Sequence, residues 1–297
     1  MAVFEDTTFN NLSDQALATE LSQENPVLLV LNGSALGKRF LLDEASLIIG
    51  RDPDSANIVL MDRAVSAMHT RIDYNAREKR YFITDLGSKN GVWINSRRID
   101  SSPLSPGDKI FLGATALKFN IEDAIEERFH SQVDTLMNID DLTGLPIKRA
   151  FDQRFSIAFV KARQRHKPLS LLMMDMDGLK QINDTYGHLL GSHTIAECGS
   201  IIGEAVGKRG TACRYGGDEY MAYLRNNPLV EALPLGEYIR QTIAGHRFQL
   251  NGQRVHPTIS IGVAELCDEM QTPNELVNAA DEALYRAKEA GRNIVCR

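Results

Sequence analysis

Two glycines followed by two acidic residues, in the segment Arg214-Tyr-Gly-Gly-Asp-Glu-Tyr220, most constrain what this chain can fold into. A Gly-Gly pair between β-rich runs predicts a hairpin turn, with a second strand from Tyr220 to Leu224. Adjacent carboxylates repel each other, and burying them is costly unless a cation lies between them. The missing glycine side chains also leave room for a large ligand. The turn therefore predicts a platform for a metal and a nucleotide phosphate, although taken alone it also fits an ordinary exposed hairpin.

A second acidic segment favours the ligand-binding interpretation. Leu169–Met176 has the composition of a buried strand, and Asp175 comes at its end, just before a predicted helix. Ligands of open α/β sheets bind at such strand ends. Asp175 and Asp218, with the Met176 carbonyl, would form an all-oxygen site suited to Mg²⁺, or to the similar ion Mn²⁺.

Four motifs together carry a family resemblance. They are Asp140-Asp-Leu-Thr-Gly-Leu-Pro146, the run from Asp175 to His188, the Gly-Gly turn, and Tyr285-Arg-Ala-Lys-Glu-Ala-Gly-Arg-Asn293. Their order and spacing resemble the GGDEF family of diguanylate cyclases over about half of the chain. Tyr220 stands where that family usually has Phe.

The resemblance implies a reaction and a set of roles. Two GTP molecules, bound on two facing domains of a homodimer, would condense to cyclic di-GMP and two pyrophosphates. The family positions imply that Asp175, the Met176 carbonyl and Asp218 hold the metals and that Glu219 assists deprotonation of the 3′-hydroxyl. They also imply a set of substrate contacts: Gly216 and Gly217 leaving room for the nucleotide, Lys180, Lys288 and Arg292 on the phosphates, and Asn183 on the guanine.

Ser192 departs from the family pattern, which usually has Asp after Gly191. A carboxylate can accept from both the N1–H and the N2 amine of guanine, whereas a serine hydroxyl can face either guanine or adenine. A minority branch of the family with Ser here makes hybrid cyclic AMP-GMP. The resemblance therefore implies relaxed base choice, and the alternative is that guanine is still selected through Asn183 and a water.

The inhibitory product site of many family members is a second departure. Their Arg-x-x-Asp motif falls on Gly207 and Gly210 in this chain. We therefore predict no product inhibition through this site.

The N-terminal half has a different pattern. Short β-rich runs alternate with turn clusters, which predicts a β-sandwich; the runs are Val27–Leu31, Leu47–Ile49, Ile58–Leu60, Thr70–Tyr74, Tyr81–Asp85, Val92–Asn95, Lys109–Leu112 and Leu117–Asn120. The turn motifs Gly50-Arg51, Ser66-Ala-Met-His69 and Gly87-Ser-Lys-Asn-Gly91 resemble those of a forkhead-associated (FHA) domain, a phosphothreonine-binding module.

The FHA resemblance implies a phosphopeptide site. Arg51 and Ser66 would bind the phosphate through charge-assisted hydrogen bonds, and Asn90 would bond the peptide backbone. The alternative is a sandwich kept only for folding or dimerisation. Trp93, the single tryptophan, is predicted to pack in the core.

The remaining segments complete the predicted organisation. Residues 1–25 form a predicted disordered tail in which Thr7 or Thr8, phosphorylated by an upstream Ser/Thr kinase, could dock on Arg51; an unstructured leader is the alternative. The FHA domain would occupy residues 26–120 and the GGDEF domain residues 139–297. Residues 121–138, with apolar positions from Ile121 at helical spacing, predict an amphipathic joining helix that packs on its own domains or on a second chain.

Composition is consistent with two domains and excludes several classes. The chain has 297 residues, enough for two cores, and a net charge of −6, which argues against nucleic-acid binding. We find no apolar run long enough for a membrane span and no signal peptide. The GTP, Mg²⁺ and phosphothreonine signalling that the two resemblances imply predict a cytoplasmic location. The four cysteines show no metal spacing. A silent nucleotide sensor and a phosphopeptide-binding adaptor with low cyclase activity are the functional alternatives.

Overall fold

The computed structural model describes residues 24–33 and 35–297. The chain divides into two compact units, the first ending at Thr135 and the second beginning at Leu136. Thr7 and Thr8, the predicted phosphorylation sites, lie outside the described residues. None of the helices described there combines the length and the apolar character needed to cross a membrane.

The first unit is a sandwich of two β-sheets. One sheet has the strand order β2-β1-β11-β10-β7-β8 and the other β4-β3-β5-β6-β9. Both sheets contribute side chains to one core, including Leu28 and Ile110 from the first and Ile49 and Ile83 from the second. The strands are β1 (Asn25–Val30), β2 (Arg39–Leu41), β3 (Ser46–Gly50), β4 (Ile58–Val59), β5 (Thr70–Asn75), β6 (Arg80–Asp85), β7 (Val92–Ile94), β8 (Arg97–Ile99), β9 (Ser101–Pro103), β10 (Lys109–Leu112) and β11 (Thr115–Glu122).

The sandwich prediction is confirmed, but the sequence pattern missed three of its strands. β2, β8 and β9 have three residues each, and they contain charged residues, serines or a proline in place of a run of β-branched or aromatic residues: Arg39-Phe-Leu41, Arg97-Arg-Ile99 and Ser101-Ser-Pro103. The prediction that Trp93 packs in the core is wrong. Its side chain is 41% exposed on β7, and its indole N–H donates to the Asn90 carbonyl at 3.2 Å.

A helix, α1 (Ala124–Asn138), follows the sandwich. Asp123 begins it, because its carboxylate accepts hydrogen bonds from the backbone N–H groups of Ile125 and Glu126, both at 2.8 Å. The predicted helix started at Ile121, which was wrong: Ile121 pairs with Pro26 in the sheet. No residue of α1 is buried.

The second unit is a five-stranded sheet covered by helices on both faces. Its strand order is β13-β14-β12-β17-β18. Alternate residues of β12 enter different cores, Leu172 and Met174 on one face and Leu171 and Met173 on the other. The strands are β12 (Leu169–Asp177), β13 (Gly210–Arg214), β14 (Glu219–Arg225), β15 (Phe248–Leu250), β16 (Gln253–Val255), β17 (Thr258–Glu265) and β18 (Val295–Cys296). The helices are α2 (Lys148–Arg165), α3 (Leu179–Tyr186), α4 (His188–Val206), α5 (Leu229–Gly245) and α6 (Pro273–Glu289).

Candidate nucleotide and metal site

The predicted acidic residues meet where β12 and β14 lie side by side. Asp175 is directly opposite Glu219 in this antiparallel pair. The backbone N–H of Met176 donates to the Asp218 carbonyl at 3.1 Å, which joins the end of β12 to the turn. The turn itself differs from the prediction. It is a four-residue loop from Tyr215 to Asp218, and Glu219 already belongs to the strand.

The carboxyl groups of Asp175 and Glu219 on this strand pair both have raised pKa values. Burial raises the pKa of the Asp175 carboxyl, and the neighbouring charges of Asp218 and Asp177 raise it further, although Lys288 opposes the shift. Burial also raises the pKa of Glu219, and the neighbouring charge of Asp175 raises it further. The Lys288 ammonium lies 2.8 Å from Asp175 Oδ2. The cluster thus holds more negative charge than its one bonded cation neutralises.

The oxygen atoms of this cluster fit a hard cation whose remaining ligands come from water and from the substrate. Within residues 24–33 and 35–297, no three His, Cys, Asp or Glu side chains are grouped so as to hold a metal by themselves. Asp175, Asp218 and the Met176 carbonyl would supply only part of a coordination shell. Mg²⁺ binds in this manner, through one or two carboxylates with waters and substrate phosphates completing its shell.

The Gly-Gly turn is both open and firmly held. A Cβ built on Gly217 would meet no atom within 4 Å, so one side of the turn is accessible. Arg214 holds the other side: its Nε and Nη2 donate to the Gly217 carbonyl at 3.1 and 2.8 Å, and its Nη1 donates to Asp140 Oδ2 at 3.1 Å. One guanidinium therefore connects the turn to the first motif of this unit.

Two of the predicted phosphate-binding residues share a pocket. Lys180 and Arg292 line an open cavity of about 620 Å³ beside Asp177 and Thr258. The third, Lys288, is bonded to Asp175. The structure thus places cations both in the pocket and at the carboxylate cluster.

The predicted base-reading residues lie at the contact of α3 and α4. A Cβ built on Gly191 would fall 1.8 Å from Asn183 Oδ1, so a side chain at position 191 would displace the Asn183 amide. Asn183 and Ser192 are both half-buried. Because Ser192 follows Gly191, the structure places both predicted base readers in one region.

The two positions that match the inhibitory product motif of the family are glycines, and Gly210 lies close to the neighbouring strand. A Cβ on Gly210 would come 1.7 Å from the Tyr223 carbonyl oxygen on β14. An aspartate at this position would therefore push the two strands apart.

In the first unit, the three predicted phosphopeptide loops are joined by hydrogen bonds. The Arg51 backbone N–H donates to the Ser66 carbonyl at 2.9 Å, and the Lys89 N–H donates to Ser66 Oγ at 3.1 Å. Asn90 Nδ2 donates to the Ala64 carbonyl at 2.7 Å. The structure therefore brings Arg51, Ser66 and Asn90 to one end of the sandwich.

Sequence reasoning missed two supporting residues. Asp140 was noted only as part of a motif, yet it pairs with Arg214. Asp177 was not assigned a role, yet it lines the pocket. The signal for Asp177 was its spacing, because residues two apart on a strand point to the same face and Asp175 already pointed to the site.

Comparison with known proteins assigns the second unit. The family model "Diguanylate cyclase, GGDEF domain" matches residues 137–294. Diguanylate cyclase A of Treponema denticola is 33% identical over 171 residues, which cover 56% of this chain and 46% of that protein. Response regulator PleD of Caulobacter vibrioides is 36% identical over 208 residues, covering 68% of this chain and 44% of PleD. The chain thus spans less than half the length of these two curated relatives.

A solved structure shares the fold. The crystal structure of the coiled coil and GGDEF domain of DgcB from Caulobacter crescentus, in complex with c-di-GMP, aligns with a TM-score of 0.55 and 28% identity. The match covers 57% of this chain and 90% of the DgcB chain. Since the GGDEF model spans more than half of the chain, the chain belongs to the GGDEF family of diguanylate cyclase domains.

The first unit matches a different family model, "Inner membrane component of T3SS, cytoplasmic domain", over residues 29–123. That family is FHA-like. The β-rich fold is therefore supported, and the assignment as a phosphothreonine-binding FHA domain stays a prediction.

Proposed function

We propose that this protein is a diguanylate cyclase that condenses two GTP molecules to cyclic di-GMP and two pyrophosphates. The observation that carries the proposal is the pair Asp175 and Glu219, placed opposite each other on neighbouring strands. Like charges so placed destabilise a sheet. Such a pair is explained by a ligand cation, and the nearby cations Lys180 and Arg292 fit the phosphates that accompany it.

Mg²⁺ or Mn²⁺ would be held by Asp175, Asp218 and the Met176 carbonyl. When bound, the metal would polarise the α-phosphate and neutralise the leaving pyrophosphate. Glu219 accepts the proton of the 3′-hydroxyl, a role suited to a carboxyl whose pKa burial has raised.

The protein's other groups hold the substrate. Lys180, Lys288 and Arg292 bind the phosphates, while Gly216 and Gly217 admit the nucleotide. Asn183 reads the guanine from the contact of α3 and α4.

The reaction requires a second copy of the chain. Each 3′-hydroxyl attacks the α-phosphate of the GTP on the facing domain, so a single domain cannot close the ring. Helix α1 exposes Ile125, Phe129 and Leu136, the last of them 72% exposed. We propose that α1 is the joining helix and that this apolar face packs against α1 of the partner chain.

Base choice is the second part of the proposal. Ser192 stands where the family usually has aspartate and follows Gly191, which lies against Asn183. We propose that Ser192 relaxes selection so that cyclic AMP-GMP forms beside cyclic di-GMP. In an incubation with Mg²⁺ and equal ATP and GTP, mass spectrometry is expected to detect both products. Ser192→Asp is expected to shift the ratio toward cyclic di-GMP by about tenfold or more, since a bidentate base contact contributes about 1–3 kcal/mol of discrimination.

The same incubation separates the alternatives. Cyclic di-GMP alone from the unmodified chain would show that Ser192 still selects guanine. If no dinucleotide forms even at high protein concentration, the chain is a silent sensor or a binding module rather than a cyclase.

We propose that the first unit binds phosphothreonine and regulates the cyclase. The supporting observation is the set of hydrogen bonds that joins the Arg51, Ser66 and Asn90 loops, because phosphate capture requires a guanidinium and a hydroxyl from different loops to reach one ligand. The ligand is a peptide phosphorylated by a Ser/Thr kinase, and the chain's own Thr7 or Thr8 is one candidate. The cytoplasmic location stays a prediction.

A peptide covering residues 1–16 and phosphorylated on Thr7 or Thr8 is expected to bind the full chain, as measured by fluorescence anisotropy. Arg51→Ala should weaken binding by about 10–100-fold, the value of a hydrogen bond to a charged group. Arg77→Ala is the matched control, because this exposed arginine follows the far end of β5. Equal binding of the unphosphorylated peptide would contradict a phosphate-reading site. The adaptor alternative would be favoured if phosphopeptides from other proteins bound while the peptides phosphorylated on Thr7 or Thr8 did not.

A further inference from the structure

The end of β12 carries a second carboxylate, Asp177, whose oxygens are occupied by protein donors. Ser260 Oγ donates to Asp177 Oδ1 at 2.8 Å, and Thr258 Oγ1 donates to Oδ2 at 2.7 Å. The backbone N–H of Asn293 also donates to Oδ2, at 3.1 Å. Asp177 therefore connects β12 and β17 to the segment after α6.

That segment has an unusual backbone. Gly291, Arg292 and Asn293 all have positive φ angles, of 112°, 65° and 50°. Left-handed conformations are unfavourable for residues with a side chain, so two in succession persist only where their surroundings hold them.

Four sets of hydrogen bonds hold this loop, and the first runs from the Gly291 N–H to the Lys288 carbonyl at 3.4 Å. The Arg292 N–H donates to the Ala287 carbonyl at 3.1 Å. The Asn293 N–H is shared between Asp177 and Ser260 Oγ, the latter at 3.2 Å. Arg240 Nη1 donates to Asn293 Oδ1 at 2.8 Å. Among these bonds, the one from the Asn293 N–H to Asp177 ties the loop to β12, and Asp177 itself lines the pocket.

We propose that Asp177 is a positioning residue that fixes the Arg292 guanidinium over the phosphate subsite. It does so by holding the strained loop from Gly291 to Asn293 and does not ligate the metal. Asp177 and Arg292 line the same cavity, and the backbone bond to Asn293 is one residue from Arg292. This inference rests on the proposed binding of GTP.

The binding test uses the full chain and a GTP analogue with a methylene bridge between the α- and β-phosphates, which cannot condense. At fixed Mg²⁺, titration calorimetry is expected to show about tenfold weaker binding for Asp177→Asn, because an amide keeps only one acceptor oxygen and cannot accept at both the Ser260 and the Asn293 positions. Arg292→Ala should weaken binding by at least as much, and Asp177→Asn should add less than about twofold in the Arg292→Ala background. Arg286→Ala, which removes an exposed cation from α6, is the control expected to bind normally.

Two results of this titration would overturn the proposal. One is unchanged affinity in Asp177→Asn. The other is a double variant whose losses multiply, which would show that Asp177 acts without Arg292. Repeating the titration over a range of Mg²⁺ concentrations supplies a further test. A shift of the Mg²⁺ dependence in Asp177→Asn, but not in Arg292→Ala, would make Asp177 a metal ligand and would also contradict the proposal.

A second measurement does not depend on nucleotide. Amide hydrogen exchange at Asn293 is expected to accelerate by about tenfold or more in Asp177→Asn and to stay slow in Arg292→Ala. Unchanged exchange in Asp177→Asn would overturn the positioning role. Failure of the unmodified chain to bind the analogue would instead overturn the proposed function, while exchange still reports whether Asp177 holds the loop. If Asp177→Asn does not fold, Ser260→Ala removes the hydroxyl that bonds both Asp177 and Asn293 and is expected to speed the same exchange.

Discussion

Glu219→Gln is expected to lower the rate of dinucleotide formation by at least about a hundredfold, because the uncharged amide can neither accept the 3′-hydroxyl proton nor balance a bound cation. Asp218→Ala should lower the rate similarly by removing a proposed metal ligand. Product formation from GTP with excess Mg²⁺, measured by chromatography, gives both rates.

The same glutamine variant should keep or raise the thermal stability. Asp175 and Glu219 are like charges directly opposite each other, an arrangement that is destabilising in a sheet. Replacing Glu219 removes this repulsion and leaves the Asp175–Lys288 ion pair in place. A Tm equal to or higher than that of the unmodified chain would therefore accompany the loss of activity.

A surface variant controls for the removal of charge. Glu282 is exposed on α6, and Glu282→Gln should retain full activity. If Glu219→Gln kept more than half of the activity, the carboxylate cluster would not be the reaction centre. If it lost activity together with a much lower Tm, unfolding would account for the loss.

The opposition of Asp175 and Glu219 illustrates what the sequence could predict. Leu169–Met176 has the apolar run of a buried strand, and the Gly-Gly segment has the signal of a hairpin, so both acidic groups could be placed at strand ends. The family motifs then linked the two segments. Local pattern and motif spacing together were sufficient because each acidic residue lies within or beside its own element.

The turn geometry was harder to predict. A two-residue Gly-Gly hairpin usually requires positive φ at the turn, but neither Gly216 nor Gly217 has it. The Arg214 guanidinium holds the Gly217 carbonyl and so favours the longer loop. This bond is formed only in the folded chain, and the residue pattern of the turn does not show it.

Trp93 and Tyr220 show that the burial of a side chain was also hard to predict from the sequence. Both are large aromatic residues on predicted strands, yet Trp93 is 41% exposed and Tyr220 is fully buried. The Tyr220 hydroxyl donates to the Ile195 carbonyl at 2.8 Å, which satisfies the polar group that Phe would lack. Which face of a strand is covered depends on helices elsewhere in the chain, so strand alternation alone does not distinguish the two cases.

Arg214→Ala is expected to lower kcat by about a hundredfold, although Arg214 contacts neither proposed metal nor nucleotide. Its guanidinium bonds the Gly217 carbonyl twice and Asp140 once. Asp218 and Glu219 directly follow that carbonyl, so a turn released from Arg214 would carry both carboxylates with it. A displacement of about 1 Å from a productive geometry is enough to cost about a hundredfold in rate.

Lysine should not rescue this position. A guanidinium can donate in two directions from one rigid plane, whereas an ammonium on a flexible stem cannot bridge Gly217 and Asp140 in the same way. Arg214→Lys is therefore expected to recover less than about a tenth of the lost activity. Asp140→Asn should have a smaller effect than Arg214→Ala, because the two bonds to Gly217 remain.

Arg225 provides the matched control at the opposite end of the same hairpin. It lies at the end of β14 and bonds the Lys208 carbonyl at 3.3 Å, far along the strand from the turn. Arg225→Ala should thus keep kcat while losing the same charge and one longer hydrogen bond. Equal losses in Arg214→Ala and Arg225→Ala would mean that the hairpin needs both arginines for stability. A loss confined to Arg214→Ala, with unchanged Tm, would show that holding the turn is a separate requirement from folding the sheet.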